Sequence, residues 1–189
     1  QLKQVLDDWA AVQPTVAVSF DHSSRRVPLS QQIDEARKLF DGRRFGRELL
    51  IKPETEKGRR IQIKSVLDLI HEFRDFDMIG FTEKELGFSI FNRMQNIKKV
   101  RDAMERVGIN IPIHIFGSLD TISTPLYFLS GADVFDGLTW LRYSYAFGHS
   151  VYTRNAAALK YTLRINDDRS EEHRLNSSHI PLSRMPSSA

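Results

Sequence analysis

Cysteine is absent from all 189 residues, so disulfides and thiolate metal sites are excluded within this stretch. That absence suits a reducing compartment, and a cytoplasmic protein is the expectation. No apolar run approaches the roughly 18 residues that a membrane-spanning helix needs, so no membrane partner is expected. Neither sign of charge dominates: 27 Lys and Arg face 24 Asp and Glu, a net charge of +3. A nucleic-acid reading must therefore rest on where the basic residues lie. An initiator Met is missing as well. The chain opens at Gln1, and Leu2, Val5, Leu6 and Trp9 recur at helical spacing with Lys3, Asp7 and Asp8 between them, which is not a signal peptide. The opening reads as the middle of something longer.

The other end, RSEEHRLNSSHIPLSRMPSSA (Arg169–Ala189), has no aromatic residue and is dense in serine. By composition it is a disordered tail. Its string also resembles the translation of a short-read sequencing-library adapter, and on that resemblance it is set aside, with His173 and His179, as one would a fusion scar. Without its three Arg and two Glu the net charge falls from +3 to +2. The expected organisation is residues 1–168 as one partial barrel, truncated at both ends, followed by an artefactual, disordered 169–189.

Five short apolar runs read as strands: Thr15–Phe20, Leu49–Lys52, Asp77–Phe81, Pro112–Phe116 and Asp133–Phe135. Helical patterns lie between them. Ser30 can cap a helix carrying Ile33, Ala36 and Phe40. Ile63, Val66, Leu67, Ile70 and Phe73 share one apolar face, as do Ile90, Met94, Ile97 and Met104, the latter helix ending at Gly108; a fourth helix holds Pro125–Leu129. Strand alternating with helix implies parallel strands with crossovers, in a β/α barrel or a doubly wound sheet. No Gly-rich dinucleotide fingerprint follows any strand, which weakens the second option. The expected fold class is α/β, a partial (β/α)8 barrel of about five βα units from the carboxyl-terminal half.

Barrel chemistry sits at the carboxyl ends of the strands. Those ends carry Asp21 and His22, then Arg25 and Arg26; Lys52 and Glu54, then Arg59 and Arg60; Gly80, then Glu83 and Glu85; Gly117, then Asp120; and Asp136, then Arg142. Each has a plainer reading. Asp136 could cap a helix starting near Thr139, and Asp21 could form a turn with Ser23. His114, inside a strand, is ordinarily a satisfied core group. His22, His71 and His149 have no metal-ligand spacing. Arg25-Arg26 and Arg59-Arg60 are ordinarily solvated charge, although loops at the active face could bring them to phosphates. Glu83 and Glu85 are weak general-base candidates. Spacing alone reaches a barrel enzyme with no assigned reaction.

HIFGSLDTISTPLYFLSGADVFDGLTWLR (114–142) carries more information. It resembles the last two βα units of the guanine transglycosylase family, enzymes that exchange guanine for a 7-deazaguanine. The family pattern Gly-x-Asp-hydrophobic-Phe-Asp is matched by Gly131, Asp133, Val134, Phe135 and Asp136. VSFDH is similar to the family's Phe-Asp-Glu segment, at Asp21, and DMIGFTEKELG to its Gly-Gly-Leu segment, at Gly80. The resemblance runs from about Thr15 to Tyr152 and looks closest to the DNA-modifying branch, with tRNA the other candidate substrate. It implies a pentosyltransferase in the intact protein, this piece alone being inactive. Asp136 would be the nucleophile on the sugar C1′, forming a glycosyl-enzyme with the two-step logic of a retaining glycosidase. Gly137 would leave room for the ribose. Asp21 would read guanine, backbone near Gly80 and Gly117 would hold the base, and Arg25, Arg26, Arg59, Arg60 and Arg142 would meet the nucleic acid.

Three departures bear on this. Lys52 stands where the family has glutamine, so base recognition on that side is expected to differ. The family's acid/base aspartate has no counterpart here and would lie before Gln1. The three-Cys, one-His structural zinc site has no counterpart either. No cofactor or metal is expected in this stretch, zinc being left open for the intact protein, as is a dimer. Two other readings stand beside it: a noncatalytic nucleic-acid-binding partner subunit of the same fold, and an unrelated barrel enzyme of small-molecule metabolism. The second needs a phosphate-cradling Gly-rich loop after the last strands, which GSLD and DGLTW do not supply.

Overall fold

The computed structural model describes residues 15–19, 26–42, 45–55, 58–146 and 149–152. The amino-terminal helical pattern at Leu2–Trp9, Asp21, Arg25 and the tail Arg169–Ala189 lie outside the described residues. The chain divides into two compact units, Gln1–Gly137 and Leu138–Ala189.

In the first unit, strands β1 (Val16–Val18), β2 (Gly46–Ile51), β3 (Met78–Thr82), β4 (Ile113–Phe116) and β5 (Val134–Phe135) pair in chain order, all parallel. Helices α1 (Leu29–Phe40), α2 (Ile63–Asp68), α3 (Ile90–Arg106) and α4 (Ser123–Leu129) connect them. The result is an α/β fold whose five-stranded parallel sheet curls as a half-barrel. Among the described residues the strand order never reverses, so they show no switch point of the doubly wound kind.

Alternation along the strands explains which way the sheet faces. Leu49 and Ile51, Ile79 and Phe81, and Ile113 and Ile115 are all buried on the side that meets the helices. They pack with Ile33, Ala36 and Phe40 of α1, Val66 of α2 and Ile97, Val100 and Met104 of α3. Each such side chain contributes about 1.5–3 kcal/mol on burial. A one-residue slip of any strand would expose its whole set, so the apolar row fixes the register. The other row, Glu48, Gly80, His114 and Phe116, faces away from the helices.

The elements differ from the sequence expectations in three places. Ser30 is not a cap: α1 starts one residue earlier, at Leu29, and the N–H of Leu29 is met by Glu54 Oε2 at 3.3 Å. The second helix is broken. α2 ends at Asp68 and a 3-10 helix runs from Ile70 to Asp75. Three residues per turn put Ile70 and Phe73 one above the other, so both stay buried despite the break. In the second unit, the helix expected near Thr139 is only a 3-10 turn, Thr139–Arg142, followed by an unanticipated antiparallel pair, β6 (Tyr143–Ala146) and β7 (His149–Tyr152). The ending of α3 is as expected: Gly108 takes a positive φ of 69° just beyond it.

Candidate active site

The approach to Asp136 is built by Arg101 of α3. Its Nε donates to the Gly131 carbonyl at 2.9 Å and its Nη1 to the Ile111 carbonyl at 3.1 Å, while Nη2 pairs with Asp133. The same Asp133 oxygen accepts from the N–H of Ile113 at 2.8 Å, tying the start of β5 to the start of β4. A Cβ at position 131 would stand 2.8 Å from Arg101 Cγ, so Gly131 is what lets the arginine lie flat there. Phe135 then packs against the core and Asp136 emerges at the strand's carboxyl end.

Asp136 does not cap the turn that follows, which has no side-chain cap. Its Oδ1 instead accepts from the N–H of Gly117 at 2.8 Å, across from the end of β4. The side chain is 51% exposed, and among the described residues Oδ2 has no hydrogen-bond partner. Among the described residues one oxygen is thus held and the other open. Gly137 has a reason within the chain itself. Its φ is 130°, and a Cβ there would lie 3.0 Å from both Cα and C of Gly117. The close approach of these two backbones delivers the Gly117 N–H to Asp136.

Behind Asp136 lies a buried polar pair that motif reasoning missed. His114 Nδ1 and Glu48 Oε1 are 2.8 Å apart, and both residues are buried. The imidazole stacks on Phe116, with ring centroids 3.8 Å apart. His114 Nε2 is buried without a hydrogen-bond partner and lies 3.9 Å from Asp136 Oδ1. The expectation of a satisfied core histidine therefore describes only one of its nitrogens. Glu48 sits inside GRELLI, and reading the strand from Leu49 left it out. A lone carboxylate in step with Leu50 and out of step with the buried Leu49 and Ile51 was the available signal.

The other expected residues fall in three groups. Gly80 lies between Glu48 and His114, and a Cβ on it would meet Phe116 Cε2 at 2.5 Å and Glu48 Oε1 at 2.7 Å. Lys52 caps the end of β2, its Nζ donating to Thr82 Oγ1 at 3.1 Å and Glu85 Oε2 at 2.7 Å. Gln32 grips the Lys52 backbone N–H at 2.9 Å and its carbonyl at 3.0 Å, fixing that strand end to α1. Arg26 reaches Glu85 Oε1 at 3.9 Å. The loop carrying Arg59 and Arg60 is held to the same turn by the Ile61 N–H, which donates to the Glu85 carbonyl at 2.9 Å. Arg60 lies over the Phe88 ring, 3.3 Å from its centroid, and Arg59 is exposed. Arg142 belongs to the second unit, within its 3-10 turn.

Glu83 and Asp120 are occupied in structural work. Glu83 Oε1 accepts from Arg93 at 2.8 Å and from the Tyr127 hydroxyl at 2.9 Å. Burial pushes the Tyr127 phenol up to about 12, against the opposing hydrogen bond from Arg93. Asp120 Oδ1 accepts from the N–H groups of Ile122 and Ser123 at the start of α4.

Among the described residues no group of three or more His, Asp or Glu could hold a metal ion, and no helix is long and apolar enough to cross a membrane. The chain matches no family model, no curated protein and no solved structure.

Proposed function

We propose that this chain carries the nucleophile half of a guanine transglycosylase site, in which Asp136 attacks the sugar C1′ of a guanosine in nucleic acid. The observation that carries the reading is the state of Asp136: one carboxylate oxygen fixed by the Gly117 N–H, the other open, at the carboxyl end of a parallel strand. Asp136 Oδ2 forms the bond to C1′ as the C1′–N9 bond breaks, and the bond's electron pair leaves with the base. The leaving base takes up a proton; N9 of a 7-deazaguanine then gives one up as it bonds to C1′ and the C1′–Oδ2 bond breaks, freeing the carboxylate. Asp21 reads the base, and Arg25, Arg26, Arg59 and Arg60 meet phosphates, with DNA favoured over tRNA. Lys52, paired with Glu85, presents a salt bridge on the side where the family has an amide. The reading takes the five parallel strands as part of a (β/α)8 barrel, and it needs an acid/base group that the described residues do not place beside Asp136.

The test is incorporation of labelled 7-deazaguanine into duplex DNA and into tRNA by the full-length protein. Asp136→Asn abolishes exchange, because an amide cannot form the glycosyl ester. Exchange at the wild-type rate by that variant refutes the nucleophile. Product on tRNA alone keeps the mechanism and removes the preference for DNA.

A further inference from the structure

His114 Nε2 is buried, has no hydrogen-bond partner and stands 3.9 Å from the carboxylate assigned as nucleophile. Whether Nε2 can meet that carboxylate depends on the hydrogen shared with the pair behind it. The side chains of His114 and Glu48 are only 10% and 4% exposed. A buried carboxylate without a compensating charge is strongly disfavoured. The pair has two balanced forms. In one, a Glu48 carboxylate faces an imidazolium, and both ring nitrogens carry hydrogen. In the other, a neutral Glu48 donates its O–H to Nδ1 and the imidazole hydrogen lies on Nε2. In the remaining form, a carboxylate beside a neutral ring protonated at Nδ1, Nε2 is a bare acceptor and has nothing to offer the Asp136 carboxylate. A carboxylate only accepts, so Asp136 pairs with Nε2 only in the first two forms, both of which put a hydrogen there.

We propose that Glu48 and His114 form a positioning pair for Asp136, with His114 Nε2–H donating to the Asp136 carboxylate. The present gap is too long for a hydrogen bond, and a turn of the half-exposed Asp136 side chain that shortens it by roughly 1 Å makes one. Oδ1 then sits between two donors, the Gly117 N–H and Nε2–H, and Oδ2 is left as the attacking oxygen. His114 touches no reacting atom. It acts through Asp136, and Phe116 stacked on its face, with Gly80 leaving room beside Glu48, keeps the ring in plane. This role rests on the transglycosylase reading.

The experiment has two arms. Long-range proton–nitrogen spectra of the full chain should show His114 Nε2 as a protonated nitrogen. Its resonance should move in Asp136→Asn and stay in place in Asp102→Asn, which alters an exposed carboxylate paired with Lys98 on α3. A bare Nε2, or one indifferent to Asp136→Asn, overturns the proposal. In base exchange by the full-length protein, His114→Gln offers an amide N–H near the place of Nε2, whereas His114→Asn offers one near Nδ1. Positioning through Nε2 predicts that Gln largely retains kcat while Asn loses on the order of 10²-fold with KM unchanged. A histidine that merely holds Glu48 gives the opposite order, and that order also overturns the proposal. Absence of exchange in the wild type defeats the transglycosylase reading instead, and the spectra alone then decide the pair.

Discussion

Replacing Gly137 by alanine tests whether the meeting of two backbones sets the site. Two costs add there. At a φ of 130° an L side chain is strained, and strain of this kind costs about 1–3 kcal/mol. The new Cβ would also lie 3.0 Å from Cα and C of Gly117 and 3.3 Å from the Ser118 nitrogen, all backbone atoms that cannot rotate away. Overpacking of that sort adds about 1–3 kcal/mol. Gly108 is the control, since its φ of 69° carries the strain but nothing lies within 4 Å of an added Cβ. Gly108→Ala should therefore cost about 1–2 kcal/mol and Gly137→Ala roughly 2–6. Urea unfolding followed by tryptophan fluorescence and circular dichroism reads the difference as a shift in midpoint. The functional consequence separates further: pushing Gly117 away breaks its 2.8 Å bond to Asp136, so Gly137→Ala should lose base exchange even at temperatures where it stays folded. Equal destabilisation by the two substitutions would refute the close-approach argument, whatever happens to activity.

Arg101→Ala should destabilise by roughly 2–4 kcal/mol in the same urea experiment, because it strands the carbonyls of Gly131 and Ile111 and the Asp133 carboxylate at once. Spectrophotometric titration should show one tyrosine ionising at about 12, and Tyr127→Phe should remove that step. With its folded value raised above the unfolded value near 10, Tyr127 makes a contribution to stability that is complete below about pH 10 and lost as pH rises toward 12. Thermal melts across that window check the sign, and a wild type that gains stability there contradicts it.

The helix-facing half of the fold was legible because it depends on spacing alone. Leu49, Ile79, Phe81, Ile113 and Ile115 announce buried strands by apolar character, and Ile97 and Met104 a helix by their separation, so each of the five strands overlaps its run, β2 starting earlier than expected, at Gly46. What spacing could not supply was local closure. Ser30 has a capping side chain, yet Glu54, 25 residues away in sequence, meets the Leu29 N–H. The break at Leu69 was hidden because Ile70 and Phe73 satisfy the apolar pattern of either helix type. The hairpin β6–β7 carries no two-residue turn signature of the kind that marks such pairs from sequence.

The site was legible only where one residue type carries the chemistry. Asp136 stood out as a carboxylate directly after an apolar strand. Its partners did not, because they are defined by register between strands distant in sequence. Glu48 and His114 are 66 residues apart, and their contact exists because β2, β3 and β4 align Leu50 with Gly80 and Gly80 with His114. Gly80 completes the argument. With a side chain at that position, Glu48 and Phe116 would lose the space they occupy beside it, and the imidazole would lose its neighbours. A buried acid–imidazole pair is a poor source of stability, since apolar residues of similar volume are often equal or better. The outer row of the same strands, from Leu49 to Ile115, already holds the sheet to its helices. The Glu48–His114 pair of the inner row is therefore not explained by the fold alone, and what it faces is a half-exposed carboxylate with one oxygen fixed.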